Sequence, residues 1–159
     1  MPRRGNVKPR LVTPDSIFEN RLVSKLINRS MKDGKKSVAQ KEVYLAFKTI
    51  EERTKKDPLK VFDQALENIR PNMEVRPRRI GGAAYQVPMS VRGPRRDSLA
   101  IRWLIIAARG RSNSEFKTFA EKIAAEIMDA AKGEGAAVKK KQDMERMAEA
   151  NRAFAHFRW

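Results

Sequence analysis

Gly81-Gly82 lies between two stretches that alternate in character, Met73 to Ile80 and Ala83 to Val91. A glycine pair supplies the positive φ that a tight hairpin turn needs, so the segment MEVRPRRIGGAAYQVPMSV predicts two antiparallel strands. Pro77 and Pro88 then limit how far a sheet can grow, because each withholds a backbone donor and suits an edge strand. The chain is thereby held to a two-stranded ribbon. Two strands alone are marginal in water, so the ribbon must lean on other elements or become ordered on a partner. Alternation puts Glu74, Arg76, Arg78 and Ile80 on one face of the first arm, and Met73, Val75, Pro77 and Arg79 on the other. The return arm carries Tyr85, Val87, Met89 and Val91 on one side and Gln86, Pro88 and Ser90 on the other.

The rest of the chain reads as helices. Pro14 and Asp15 open a first helix through Ile17, Leu22, Val23, Leu26, Ile27 and Met31, which stops at Asp33-Gly34. Arg21, Lys25, Arg29 and Lys32 share its opposite face, as a solvated or a phosphate-tracking stripe. Ser37 and Gln40 predict a capping box for a second helix to about Lys55, burying Val38, Val43, Ala46, Phe47 and Ile50. Asp57-Pro58 pairs a cap with proline at the first helical position and launches a third helix that ends at Arg70-Pro71. After the ribbon, Leu99, Trp103 and Ile106 mark the centre of the most apolar helix, closed by Gly110. Ser112 with Glu115 predicts a cap for the next, whose apolar face is Phe116, Phe119, Ile123, Ile127 and Met128. A final helix from Ala136 to Ala155 holds few large apolar residues, so it is expected to be only partly packed. The fold class is therefore mainly α: one domain, residues 14–159, of about six helices with a ribbon at 73–91, a partly detached C-terminal segment at 136–159, and a basic arm at 1–13.

Thirty-five basic residues against nineteen acidic ones leave a net charge of +16 on 159 residues. Self-repulsion on that scale weakens a compact state unless a polyanion binds, and nucleic acid rewards neutralisation by releasing counterions. A membrane is the rival polyanion. No run of about eighteen apolar residues exists, however, and no basic helix has a bulky aromatic face. The absence of cysteine excludes disulfides and thiolate metal sites and fits a reducing cytoplasm. MPRRGNVKPR has no apolar stretch after its basic residues, unlike a secretory signal.

The charge is concentrated in two zones. Residues 1–36 hold ten basic and three acidic residues, and residues 70–111 hold ten and two; the intervening and final stretches are nearly balanced. All ten basic residues of the second zone are arginine, whose planar fork grips phosphate bidentately and stacks on bases. A solubilising surface would have no reason to exclude lysine. The candidate binding residues are therefore the arm (Arg3, Arg4, Lys8, Arg10), the Lys35-Lys36 turn, the ribbon arginines (Arg76, Arg78, Arg79), and Arg92, Arg95, Arg96, Arg102, Arg109 and Arg111. Arg95, Arg102 and Arg109 recur every seven residues and form one stripe on their helix.

Catalysis finds no foothold. The single histidine, His156, is in the tail, and the acids are scattered among basic partners at i+3 and i+4. Gly34-Lys35-Lys36-Ser37 lacks the upstream glycine and preceding strand of a phosphate-binding loop. No enzyme activity, metal or cofactor is expected. A helical DNA-binding regulator is the alternative function, but such proteins usually place one short helix in a groove. Here the cations are spread over an arm, a turn, a ribbon and a helix stripe. Folded RNA, which offers phosphates, 2′-hydroxyls and unstacked bases rather than a readable major groove, suits that spread better.

Beyond these local readings, RRG at Arg3 to Gly5, NRLVSKLINRSMKDGKKS at Asn20 to Ser37, VRPRRIGGAAYQVP at Val75 to Pro88, LAIRWL at Leu99 to Leu104 and RMAEANRAFAHFRW at Arg146 to Trp159 are long and specific. In these stretches the chain resembles the bacterial type of small-subunit ribosomal protein seven along its whole length. The resemblance implies a helical bundle with a protruding ribbon. It further implies a primary binder of the 3′ major domain of 16S ribosomal RNA that nucleates assembly of the subunit head. Such a protein lies near the exit site, close to transfer RNA and messenger RNA, and touches small-subunit proteins nine and eleven.

Overall fold

The computed structural model describes residue 5 and residues 10–157. Its described elements are six α-helices, one antiparallel pair of strands and a terminal 3₁₀ helix. In chain order they are α1 (Arg21–Ser30), α2 (Lys36–Thr54), α3 (Pro58–Ile69), β1 (Met73–Ile80), β2 (Ala83–Ser90), α4 (Pro94–Gly110), α5 (Phe119–Ala131), α6 (Ala136–Ala150) and the 3₁₀ segment Arg152–Phe157. The fold is mainly helical with a two-stranded ribbon, as its residues predict.

Local chemistry sets several boundaries. Asp57 accepts the backbone N–H of Leu59 at 2.9 Å and Pro58 occupies the first turn, so α3 starts where the Asp-Pro pair places it. Elsewhere the caps are displaced from expectation. Asp15 does not open α1: its carboxylate closes a separate turn by accepting the N–H groups of Ile17 and Phe18, and Glu19 then takes φ 48°. Asn20 caps α1 instead, accepting from Leu22 N at 2.7 Å. The helix ends at Ser30, ahead of the left-handed pair Asp33 and Gly34.

Ser37 lies inside the first turn of α2, and the Gln40 amide donates to the Tyr44 hydroxyl rather than reaching back. The capping box before α5 belongs to Thr118 and Glu121, not to Ser112 and Glu115. The Ser112 hydroxyl is held in its own turn by Ser114 N, which leaves Phe116 outside the helix.

The core gathers around α5, which packs against α2, α3 and α4. Phe47, Phe62, Leu66, Ile69, Leu104, Ile123 and Ile127 are fully buried there. Phe18, Phe47 and Phe62 form an aromatic run, with centroids 5.0 and 5.5 Å apart, that ties the lead-in of α1 to α2 and α3. Each such side chain contributes about 1.5–3 kcal/mol by leaving water. Ile106 and Val38, expected inside, are 61% and 54% exposed. In α4 the buried face runs through Ala100, Ile101, Leu104, Ile105 and Ala108, which turns Ile106 outward.

The ribbon pairs Met73 with Ser90 and Ile80 with Ala83, so Glu74, Arg76 and Arg78 share a face with Met89, Val87 and Tyr85. Gly81 and Gly82 have φ of 57° and 90°, the double left-handed conformation of a type I′ turn, which glycine adopts without steric penalty. Burial falls away along its length. Glu74, Val87 and Pro88 are buried near the base, whereas Arg79 and residues 81–84 at the tip are exposed. The 3₁₀ segment packs on β2, with Phe154 and Phe157 centroids 5.2 and 5.7 Å from Tyr85. Helix α6 lies against β1 and α4 and buries Ala137, Val138 and Ala148.

Candidate nucleic-acid interface

The candidate cations divide by what each side chain touches. Arg3, Arg4 and Lys8 lie outside the described residues. Arg10 is exposed, and the segment that follows it runs beside α1 and the start of α2: Arg10, Val12, Asn28 and Lys36 line one hollow. A second, of about 380 Å³, brings Val12 beside Lys25 and Arg29 of α1 and Pro94, Ser98 and Ile101 of α4. A third, of about 360 Å³, is rimmed by Lys32, Lys35 and Arg109 over Val38, Ala39 and Phe119. The arm's end, the Lys35-Lys36 turn and Arg109 of α4 thus adjoin hollows along α1, although they are far apart in the chain. Lys25, Arg29 and Lys32 line these hollows too. The helical spacing of Lys25 and Arg29 on α1, continued by Lys32 just past its end, is the signal for them, but only their position beside α4 and the turn distinguishes that face from an ordinary solvated one.

Five of the candidate arginines are already engaged. Glu74, 5% exposed, sits between two of them. Its Oε1 accepts from Arg76 Nε at 2.6 Å, and its two oxygens accept from Arg95 Nε at 2.8 Å and Nη2 at 2.7 Å. Burial pushes this carboxyl up, but the hydrogen bonds and charges of Arg95 and Arg76 outweigh it and hold the group below its ordinary value. Arg96 donates to the Pro71 carbonyl at 3.2 Å and to Asn72 Oδ1 at 3.0 Å, pinning the entry to the ribbon.

Arg109 donates to the Ser30 carbonyl at 3.0 Å, satisfying the end of α1, and its guanidinium lies 5.9 Å from the Phe119 ring centroid. Arg111 meets Glu126 at 2.6 Å and also pairs with Asp129. Lys122 donates to the Arg111 carbonyl at 2.6 Å, so the α4–α5 connection is fastened from both sides.

Arg10, Lys35, Lys36, Arg78, Arg79, Arg92 and Arg102 make no side-chain hydrogen bond or ion pair with any described residue. An unpaired guanidinium or ammonium keeps its full capacity for phosphate. The two acids of the arginine zone are the sorting agents: Glu74 takes Arg76 and Arg95, while Asp97 takes Arg70 at 2.9 Å and Lys25 at 3.7 Å. Among the described residues no group of three or more acidic or histidine side chains could hold a metal ion, and no helix is long and apolar enough to cross a membrane.

Comparison with known proteins agrees with this architecture. The family described as ribosomal protein S7p/S5e matches residues 2–152. The chain is 59% identical over 159 residues to the small ribosomal subunit protein uS7 of Carboxydothermus hydrogenoformans, covering all of both chains. It is 60% identical over 159 residues to that of Caldicellulosiruptor bescii, again over the whole of both. To that of Thermotoga maritima it is 58% identical over 157 residues, 99% of each chain.

Proposed function

From the premise that the chain belongs to the ribosomal protein S7p/S5e family and is a structural, non-enzymatic protein of the small ribosomal subunit, we propose that it is a primary binder of the 3′ major domain of 16S ribosomal RNA. In this role it nucleates assembly of the subunit head. Residues 1–13 run as an arm along a phosphate backbone, with Arg3, Arg4, Lys8 and Arg10 as contacts. Lys35, Lys36 and the α4 stripe hold adjacent RNA segments. The ribbon enters a junction between RNA helices and points Gly81-Gly82 toward the exit site, close to transfer RNA and messenger RNA. Segment 136–159 faces a neighbouring protein, with small-subunit proteins nine and eleven as the expected neighbours.

The observation that carries this reading is the distribution of the uncommitted cations. Arg10, Lys35, Lys36, Arg78, Arg79, Arg92 and Arg102 belong to an arm, a turn, a ribbon, a loop and a helix, and no single short helix collects them. A surface of that kind reads the shape of a folded polyanion, whereas a DNA regulator concentrates its contacts on one groove-sized element. The test is binding of the full chain to the isolated 3′ domain RNA, titrated with salt and competed with duplex DNA of equal phosphate count. RNA is expected to win by orders of magnitude at physiological salt. Equal competition by DNA would reduce the surface to generic charge and refute the reading.

A further inference from the structure

Glu74 is an anion buried in the middle of a cationic surface, and charge alone gives no reason for it to be there. A +16 protein that binds a polyanion gains attraction by losing an acid, so Glu74 works against long-range binding. Its contacts offer a different account. Arg76 is on its own strand, two residues along and on the same ribbon face; Arg95 is at the start of α4, 21 positions away. Both guanidiniums donate to this one carboxylate, yet their side chains remain 43% and 49% exposed. Each is therefore held on one edge and open on the rest of its fork. An arginine carries five N–H donors, so the bonds to Glu74 leave others free for phosphate.

Resting on the reading of this face as an RNA interface, we propose that Glu74 is a positioning residue for RNA binding. By gripping Arg76 and Arg95 from below, it sets the spacing and orientation of two forks where the ribbon meets α4. Arginine side chains lose rotamer freedom when they are immobilised on a partner; here that loss has occurred before RNA arrives. The unpaired Arg78 and Arg79, farther along the ribbon, lack this restraint and supply attraction without fixed geometry. Glu74 also joins the ribbon base to α4, so the two forks move as one body with the core.

The inference makes a prediction opposite in sign to simple electrostatics. Glu74→Gln raises the net charge to +17, one above the +16 of the chain, and preserves side-chain shape. Electrostatics predicts tighter binding to RNA; positioning predicts binding weakened by roughly tenfold, the cost of immobilising two long side chains anew. Affinity of the full chain for the 3′ domain RNA is measured beside melting temperature and the salt dependence of binding. The expected result is weaker RNA binding with an unchanged or steeper salt slope, and binding to duplex DNA that is unchanged or slightly tighter.

Glu74→Asp provides the second arm, at constant net charge, with a side chain one methylene too short to meet both guanidiniums as Glu74 does. It is expected to weaken RNA binding as well, and it carries the test should Glu74→Gln not fold. Equal or tighter RNA binding by a folded variant overturns the inference while leaving the RNA interface standing. Failure of the unmodified chain to prefer RNA over duplex DNA overturns the interface itself.

Discussion

Removing the Arg111 guanidinium should destabilise the protein far more than removing any other arginine of its zone. Glu126 is 1% exposed and the Arg111 side chain 19% exposed, so their ion pair is largely withdrawn from water. In Arg111→Met the carboxylate keeps the backbone N–H of Ala137, at 2.9 Å on Oε1, but Oε2 loses the donor that neutralised it. Breaking a buried pair from one side costs about 3–5 kcal/mol, because an uncompensated charge stays behind.

Asp129, more exposed, adds little, since water can replace its partner. For a domain of this size each kcal/mol shifts the midpoint by roughly 2–4 °C, which puts the expected fall between about 6 and 20 °C. The assay is urea and thermal unfolding followed by far-ultraviolet circular dichroism. Adding Glu126→Gln to Arg111→Met removes the stranded charge, retains an acceptor for Ala137 N, and should recover most of the loss. A single-variant cost below about 1 kcal/mol, or a double variant no better than the single, would refute the assignment of Arg111 as a strut.

Arg78→Ala with Arg79→Ala should leave helical content unchanged and lower the salt slope of RNA binding by roughly 0.7–0.9 for each phosphate that is no longer neutralised, read from affinities at several salt concentrations. The Glu74 carboxyl, whose folded value lies below its ordinary 4.5, contributes stability that is complete above that pH and disappears as pH falls through the folded value. Asp63 acts in the opposite sense, because burial raises its carboxyl and protonation favours the fold. Glu74→Gln should therefore flatten the loss of stability with acid, measured by urea unfolding from pH 6 downward. Ile106→Ser should change stability by no more than about 0.5 kcal/mol, whereas Leu104→Ala, two residues away but fully buried, should cost about 2–5 kcal/mol.

The features legible in the chain are those governed by a residue and its close neighbours. Gly81-Gly82 specifies its turn because backbone sterics act within the dipeptide. Pro77 and Pro88 confine the sheet to two strands by lacking a donor, and Asp57-Pro58 places the start of α3 through a bond to Leu59, two positions on. Competition between equally local signals was harder to read. Ser112 and Glu115 look as good a cap as Thr118 and Glu121, and Asp15 as good as Asn20. Ser112 is occupied by its own turn, and Asp15 is drawn to Tyr44, 29 positions away.

The net charge, its two zones and the all-arginine composition of the second were determined by the sequence itself, because counting requires no geometry. Which cations are free was decided only by the tertiary structure. Glu74 reaches Arg95 across 21 positions, Glu126 reaches Arg111 across 15, and Ser30 reaches Arg109 across 79. Arg78 and Arg111 are the same residue type in the same zone. One is left without a partner among the described residues and the other is bound between two carboxylates, because an ion pair depends on distance in space and burial, and packing alone sets both.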